Sequence, residues 1–207
     1  MKTFIGNYDL LNVQTDEFEE AFLYEGIDEK NLSDFGAMWL PEFKSNKPDE
    51  ISQESIMDAN MEDGIWDWKK LESEVQKNRL RYEIYAIECN GCTQGLMLVD
   101  KVCCGKHPEQ VGKPIIYVTL LATAPWNRPR LSDNPLYRGV GRTLISCAIS
   151  LSLEEEFEGR IGLHSLLGAE VFYRTKIGMT DLDIGSGNSD LRYFEMTMDQ
   201  AKAFISE

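Results

Sequence analysis

Ten consecutive apolar, aromatic or β-branched residues, Ile115 to Ala124, end abruptly at Pro125. An unbroken run of this kind reads as a central strand buried on both faces, and a proline cannot continue a ladder. It is about half the length of a membrane-spanning helix. Such a strand needs cover on both sides. The chain of 207 residues, 43% apolar and 10% aromatic, has the material for it and is unlike a disordered chain.

The flanking pattern fills in the rest. Tyr82 to Cys89 alternates and is rich in β-formers, Asn90-Gly91 is a strong hairpin-turn signal, and Cys92 to Cys103 is the return strand. Gly105 to Lys113 is a polar loop. Trp126 to Pro135 is a proline-rich loop, and Tyr137-Arg138-Gly139-Val140-Gly141-Arg142 opens a helix expected over Thr143–Glu156 and stopped by Gly159. A strand follows at Arg160–Ser165, a helix at Gly168–Lys176 closed by Gly178, a strand at Leu191–Thr197 and a helix at Asp199–Ile205. Before residue 81 the chain reads as mainly helical. Thr15 is the expected N-cap of a helix with Phe18 and Phe22 on one face, residues 41–64 are loop with one short helix, and Asp67–Leu80 is a helix. The fold class is α/β with a mixed sheet.

Charge is uneven. The chain carries 21 basic and 35 acidic residues, net −14; residues 1–80 hold 8 and 19, and residues 81–207 hold 13 and 16. The excess negative charge thus lies in residues 1–80. It opposes nucleic-acid binding and suits a cationic partner, or serves as a solvated surface. The opening MKTFIGNYDLL has one Lys and is broken by Asn7 and Asp9, unlike a secretion signal. The five cysteines are therefore expected as reduced thiols in a cytoplasmic protein. Cys89-x-x-Cys92, Cys103-Cys104 and His107 offer a zinc set on paper. Against it, Asn90-Gly91 explains the first spacing and the second pair is adjacent, so no metal is expected.

A buried strand, then Arg138-Gly139-Val140-Gly141-Arg142-Thr143, then a helix, suits a pyrophosphate. Glycines admit an anion close to the backbone, and the first N–H groups of a helix have no internal partner. Arg128 and Arg130 lie just upstream. Walker A is excluded because no Gly-Lys-Ser/Thr follows, and the dinucleotide fingerprint fails because Leu144 stands where its third glycine belongs. A plain strand-to-helix turn is the alternative use.

Leu121-Ala122-Thr123-Ala124-Pro125 followed by Arg138-Gly139-Val140-Gly141-Arg142-Thr143 resembles the coenzyme-A signature of the GNAT superfamily of N-acetyltransferases. Ile161 to His164, then Ala169-Glu170-Val171-Phe172-Tyr173, then Gly178-Met179 resembles that family's second block. Together the two cover roughly residues 82–197. The departures are about ten extra residues at Asn127–Leu136, Leu136 and Leu166 at positions often Gln and Asn, and one extra residue between Tyr173 and Gly178.

The resemblance implies one GNAT-like domain over residues 1–207. Residues 81–207 are its acetyl-CoA-binding core and residues 1–80 an acidic, helical acceptor side. It implies acetyl-CoA as co-substrate, held by Leu121, Ala122, Thr123, Tyr137, Arg138, Gly139, Val140, Gly141, Arg142 and Thr143. The strand Leu121–Thr123 is expected to splay and free N–H groups. Tyr173 is expected as general acid, donating to the leaving thiolate. His164 is a candidate base, with Glu83, Glu88 or a water chain as alternatives. The acceptor is a primary amine of a small cationic molecule or a protein. Trp39, Trp66 and Trp68 either line its site or pack the core. The competing reading is a non-catalytic acyl-CoA sensor or protein-interaction module on the same fold. No nucleic-acid or membrane partner is expected, and a homodimer is left open.

Overall fold

The computed structural model describes residues 2–45, 62–129, 131–183 and 191–206. Strands β1 (Thr3–Asn12) and β2 (Glu17–Glu25) open the chain. Helix α1 (Glu29–Asp34), a π-turn (Phe35–Trp39) and α2 (Leu40–Ser45) run on continuously. A 3-10 turn (Glu62–Ile65) precedes α3 (Trp68–Lys77). Then come β3 (Tyr82–Cys89), β4 (Cys92–Cys104) and β5 (Pro114–Thr123). A 3-10 turn (Pro125–Asn127), β6 (Tyr137–Arg138) and α4 (Val140–Glu154) follow. Last are β7 (Ile161–Ser165), α5 (Glu170–Phe172) with a π-turn (Tyr173–Ile177), β8 (Thr180–Asp181), β9 (Arg192–Met196) and α6 (Met198–Ile205).

By hydrogen bonding the strand order is β6-β1-β2-β3-β4-β5-β7-β9-β8. The sheet is mixed: β5 and β7 run parallel, whereas β1–β2, β2–β3, β7–β9 and β8–β9 are antiparallel. Two compact units interleave along the chain. One holds residues 1–79, 83–98 and 120–144, the other 80–82, 99–119 and 145–207. In the first, Leu10, Leu23, Trp39, Trp68, Ile87 and Leu144 are buried; in the second, Ile115, Ile149, Ile161, Phe194 and Phe204.

The helix expected after Thr15 is a strand instead. Residues 13–16 form the turn of a hairpin, with Asp16 at φ 57°. In β2 the buried positions are Ala21 and Leu23, two apart, while Phe18 is exposed. The Phe18/Phe22 spacing fits a helix equally well, and pairing with β3, Ala21 opposite Cys89 through Glu25 opposite Tyr85, decides against it. The first 25 residues are thus β, and helix begins only at Glu29. There Asp28 and Asn31 form a reciprocal capping box, with N–H to Oδ1 distances of 3.2 and 3.1 Å. Asn31, Phe35, Trp39 and Phe43, each four residues on, are all buried. Trp39 and Trp68 are therefore core, while Trp66 is half-buried with its ring edge-on to Trp68.

The Asn90-Gly91 turn is formed as expected, both residues having positive φ (49° and 70°). It also accounts for the Cys89/Cys92 spacing. Cys103 and Cys104 are neighbours on β4, so their side chains face opposite sides of the sheet. Among the described residues no group of three or more His, Cys, Asp or Glu is arranged to hold a metal ion. No helix among them is long and apolar enough to cross a membrane.

Candidate functional site

The end of β5 carries an irregularity that alternation exposes. The Ile116 N–H donates to the Arg160 carbonyl (3.1 Å), toward β7, yet the Ala124 N–H donates to the Gln94 carbonyl (2.8 Å), toward β4. Residues eight apart in a regular strand would face the same edge, so the alternation slips by one residue between them, as in a β-bulge. The register of β5 with β7 covers Ile116, Tyr117 and Val118, and β5 continues to Thr123. Thr123, next to Ala124, turns its N–H and C=O to the edge away from β4.

The extra loop after β5 is tied down by named bonds. Gln94, 2% exposed, accepts from Trp126 Nε1 (3.0 Å) and Asn127 Nδ2 (2.9 Å), and Asn127 Oδ1 accepts the Tyr137 N–H (2.9 Å). Arg128 Nη1 bonds Asp63 Oδ1 (3.0 Å), Nη2 meets Asp63 Oδ2, and Nε donates to the Thr123 carbonyl (2.9 Å). Arg128 is thus committed to an internal ion pair rather than offered to a phosphate. Arg130 lies outside the described residues.

Tyr137 and Arg138 then pair with Asn12 and Leu11 of β1. Tyr137 is buried, its phenol donating to Glu19 (2.7 Å) and accepting from Asn90 (2.9 Å). Burial and the Glu19 carboxylate push that phenol's pKa up, and the same bond holds Glu19 below the usual carboxylate range. Tyr137 anchors the turn through its hydroxyl, which Glu19 and Asn90 engage. Gly139 has φ +105°, a conformation side chains rarely adopt, and its carbonyl accepts the Thr143 N–H (2.8 Å), the first bond of α4. The N–H groups of Val140 and Gly141 precede that bond, in the first turn, where a helix supplies no internal acceptor. Val140 and Thr143 are buried by their side chains, Gly141 and Arg142 are half-buried, and Arg138 is exposed. No acidic residue stands in the first turn of α4. Leu121 and Thr123 are half-buried and Ala122 is buried.

The second unit holds Tyr173 and His164. Tyr173 is 7% exposed, edge-on to Phe172 (5.2 Å between ring centres) and tilted on Phe194 (5.9 Å). It stands where α5 passes into a π-turn that Gly178 closes at φ 78°. His164 Nδ1 is 2.5 Å from the Tyr117 hydroxyl, its ring lies 4.8 Å from Tyr193, and its Nε2 is buried with no hydrogen-bond partner among the described residues. Burial, and then the Lys106 charge, lower the His164 pKa; burial pushes Tyr117 up to about 12. Of the glutamates considered as bases, Glu88 is bound by Lys2 and by Asn31 Nδ2 (2.6 Å), and Glu83 accepts from Tyr85.

The direction of the His164 shift sets a pH dependence. A histidine harder to protonate folded than unfolded costs stability as pH falls through the unfolded value near 6.5, and the loss grows until the folded pKa is passed. His164→Gln is expected to flatten the fall in melting temperature between about pH 7 and 5. Equal slopes for the two proteins would show that the imidazole does not control it.

The sequence matches no protein-family model and no curated protein. Solved structures do match in shape. The PaiA N-acetyltransferase of Thermoplasma acidophilum, in complex with coenzyme A, aligns at TM-score 0.51 and 13% identity, covering 84% of this chain and 98% of that one. The GNAT domain of S. lividans PAT aligns at TM-score 0.51 and 13% identity, covering 92% and 96%. A point mutant of the AtaT toxin, bound to the C-terminus of the antitoxin AtaR, aligns at TM-score 0.50 and 12% identity, covering 78% and 93%. These likenesses in shape show the fold: this chain has the GNAT fold.

Proposed function

We propose that the protein is an acetyl-CoA-dependent N-acetyltransferase that passes the acetyl group directly to a primary amine. One observation carries this reading: within one compact unit, the irregular end of β5 leads to a left-handed glycine and then to the first turn of α4. PaiA, a structure of the same fold, was solved with coenzyme A. Acetyl-CoA supplies an activated thioester. The N–H groups of Val140 and Gly141, with the Arg138 and Arg142 charges, would take the pyrophosphate. The Leu121–Thr123 backbone would take the pantetheine arm and thioester carbonyl, where fixed N–H groups stabilise developing negative charge.

The amine attacks the carbonyl carbon as a neutral nucleophile, the carbon–sulfur bond breaks, and Tyr173 gives its phenolic proton to the departing sulfur. The amine's own proton passes to water or to His164, whose imidazole burial makes harder to protonate. The net charge of −14 favours a cationic acceptor and opposes a polyanionic one. We read the protein as cytoplasmic and its cysteines as reduced.

Thermal unfolding with acetyl-CoA tests the first half. At about 100 times its dissociation constant a ligand stabilises by roughly 2.7 kcal/mol, which is several degrees for a chain this size. Gly141→Glu is expected to abolish the shift by placing a carboxylate at the phosphate end. No shift at millimolar acetyl-CoA would end the reading. Tyr173→Phe is expected to leave that shift intact and to slow thiol release with an accepted amine by about 100-fold or more. Binding without turnover across a panel of amines would favour an acyl-CoA sensor instead.

A further inference from the structure

We infer that Arg128 is a positioning residue: its guanidinium, oriented by Asp63, fixes the Thr123 carbonyl and so sets the end of β5 that meets the pantetheine and thioester. This rests on the coenzyme reading above. The peptide between Thr123 and Ala124 is gripped from both sides. Its N–H donates to Gln94 of β4 at 2.8 Å, and its carbonyl accepts Arg128 Nε at 2.9 Å and Nη2 as well. Because residue 123 faces the edge away from β4, its carbonyl is the acceptor that would otherwise face a bound acyl group. Occupied by Arg128, that oxygen no longer repels a thioester carbonyl.

The arrangement requires arginine. One face of the fork serves Thr123 while two nitrogens engage Asp63, whose side chain is 2% exposed; the guanidinium also lies 5.2 Å from the Phe43 ring. A lysine offers one nitrogen and cannot hold both partners in plane. Asp63 belongs to the segment with no match to the coenzyme signature. The carboxylate therefore links that segment to the coenzyme edge through a single side chain.

The test uses two probes on the intact protein by calorimetry: acetyl-CoA, and the phosphorylated ADP half of the coenzyme, which lacks the pantetheine arm. Arg128→Ala is expected to weaken acetyl-CoA by about tenfold, the loss of one or two good hydrogen bonds' worth of alignment, and to leave the nucleotide fragment unchanged. Arg128→Lys should recover part of the loss, and Asp63→Asn should show the same signature at about threefold. A purely structural role would weaken both probes alike. Should Arg128→Ala fail to fold, Asp63→Asn and Arg128→Lys decide. If wild-type protein binds both probes and these variants bind acetyl-CoA as well as wild type, or lose both probes together, the inference is overturned. If wild-type protein binds neither probe, the coenzyme reading itself fails.

Discussion

Gly95→Leu is expected to destabilise the protein by about 3 kcal/mol and, on the proposed function, to remove acetyl-CoA binding together with it. Gly95 sits on β4 beneath the first turns of α4. A Cβ built there would lie 2.7 Å from Val140 Cγ1, 2.9 Å from Leu144 Cδ1 and 3.1 Å from Ile87 Cγ2. No real Cβ tolerates the first two distances, and all three neighbours are themselves buried, so the helix must lift off the strand. Lifting α4 moves the N–H groups of Val140 to Arg142 away from the end of β5. The melting temperature should fall by roughly 6 to 12 °C. A loss under about 2 °C, read from thermal unfolding, would mean that α4 does not seat on Gly95 as described.

Glu195→Ala is expected to cost more, on the order of 3–5 kcal/mol, and to loosen residues 105–113 first. Glu195 is fully buried on β9. Its oxygens accept the Lys106 N–H, the His107 N–H (3.0 Å) and Gln110 Nε2 (2.7 Å). Gln110, 2% exposed, also donates to the Met196 carbonyl (3.3 Å). Alanine would remove the acceptor of two backbone N–H groups, the buried Gln110 amide and the Tyr193 hydroxyl at once. Glu195→Gln keeps the volume but turns an amide toward those donors, so it should lie between alanine and wild type. Urea unfolding would show the midpoint fall with slope unchanged, and hydrogen exchange at Lys106 and His107 would accelerate. Exchange at wild-type rates there would contradict the role of the carboxylate.

What can be read from the sequence is what depends on neighbours in the chain. Tyr82–Cys89, Asn90-Gly91 and the return strand are coded by alternation and by a dipeptide suited to positive φ. The glycine turn before α4 is coded by Gly139, whose φ of +105° side chains rarely adopt. The β1–β2 hairpin is illegible because Glu17 to Glu25 fits both periods, and its partner, β3, lies about sixty residues further on. The continuous helical segment from Glu29 is hidden by Pro41 and by a cap of the less familiar Asp-x-x-Asn form. The loop residues Gln94, Asn127, Arg128 and Asp63 carry no local signal at all. Arg128 looks like a phosphate ligand from its neighbours Arg130 and Arg138. Only folding reveals that a carboxylate 65 positions away claims it.

The two-residue strand β6 has a mechanical consequence. Tyr137 and Arg138 are stitched to Asn12 and Leu11, and the Leu136 carbonyl accepts the Val13 N–H (2.9 Å). The turn at Gly139 therefore hangs from the hairpin of residues 3–25 as a door hangs from its hinge post. Phe4 and Ile5, at the other end of β1, stand about half exposed. The anchorage of the turn is thus set by residues far from it in sequence, and changes to the hairpin reach the turn through these three backbone partners.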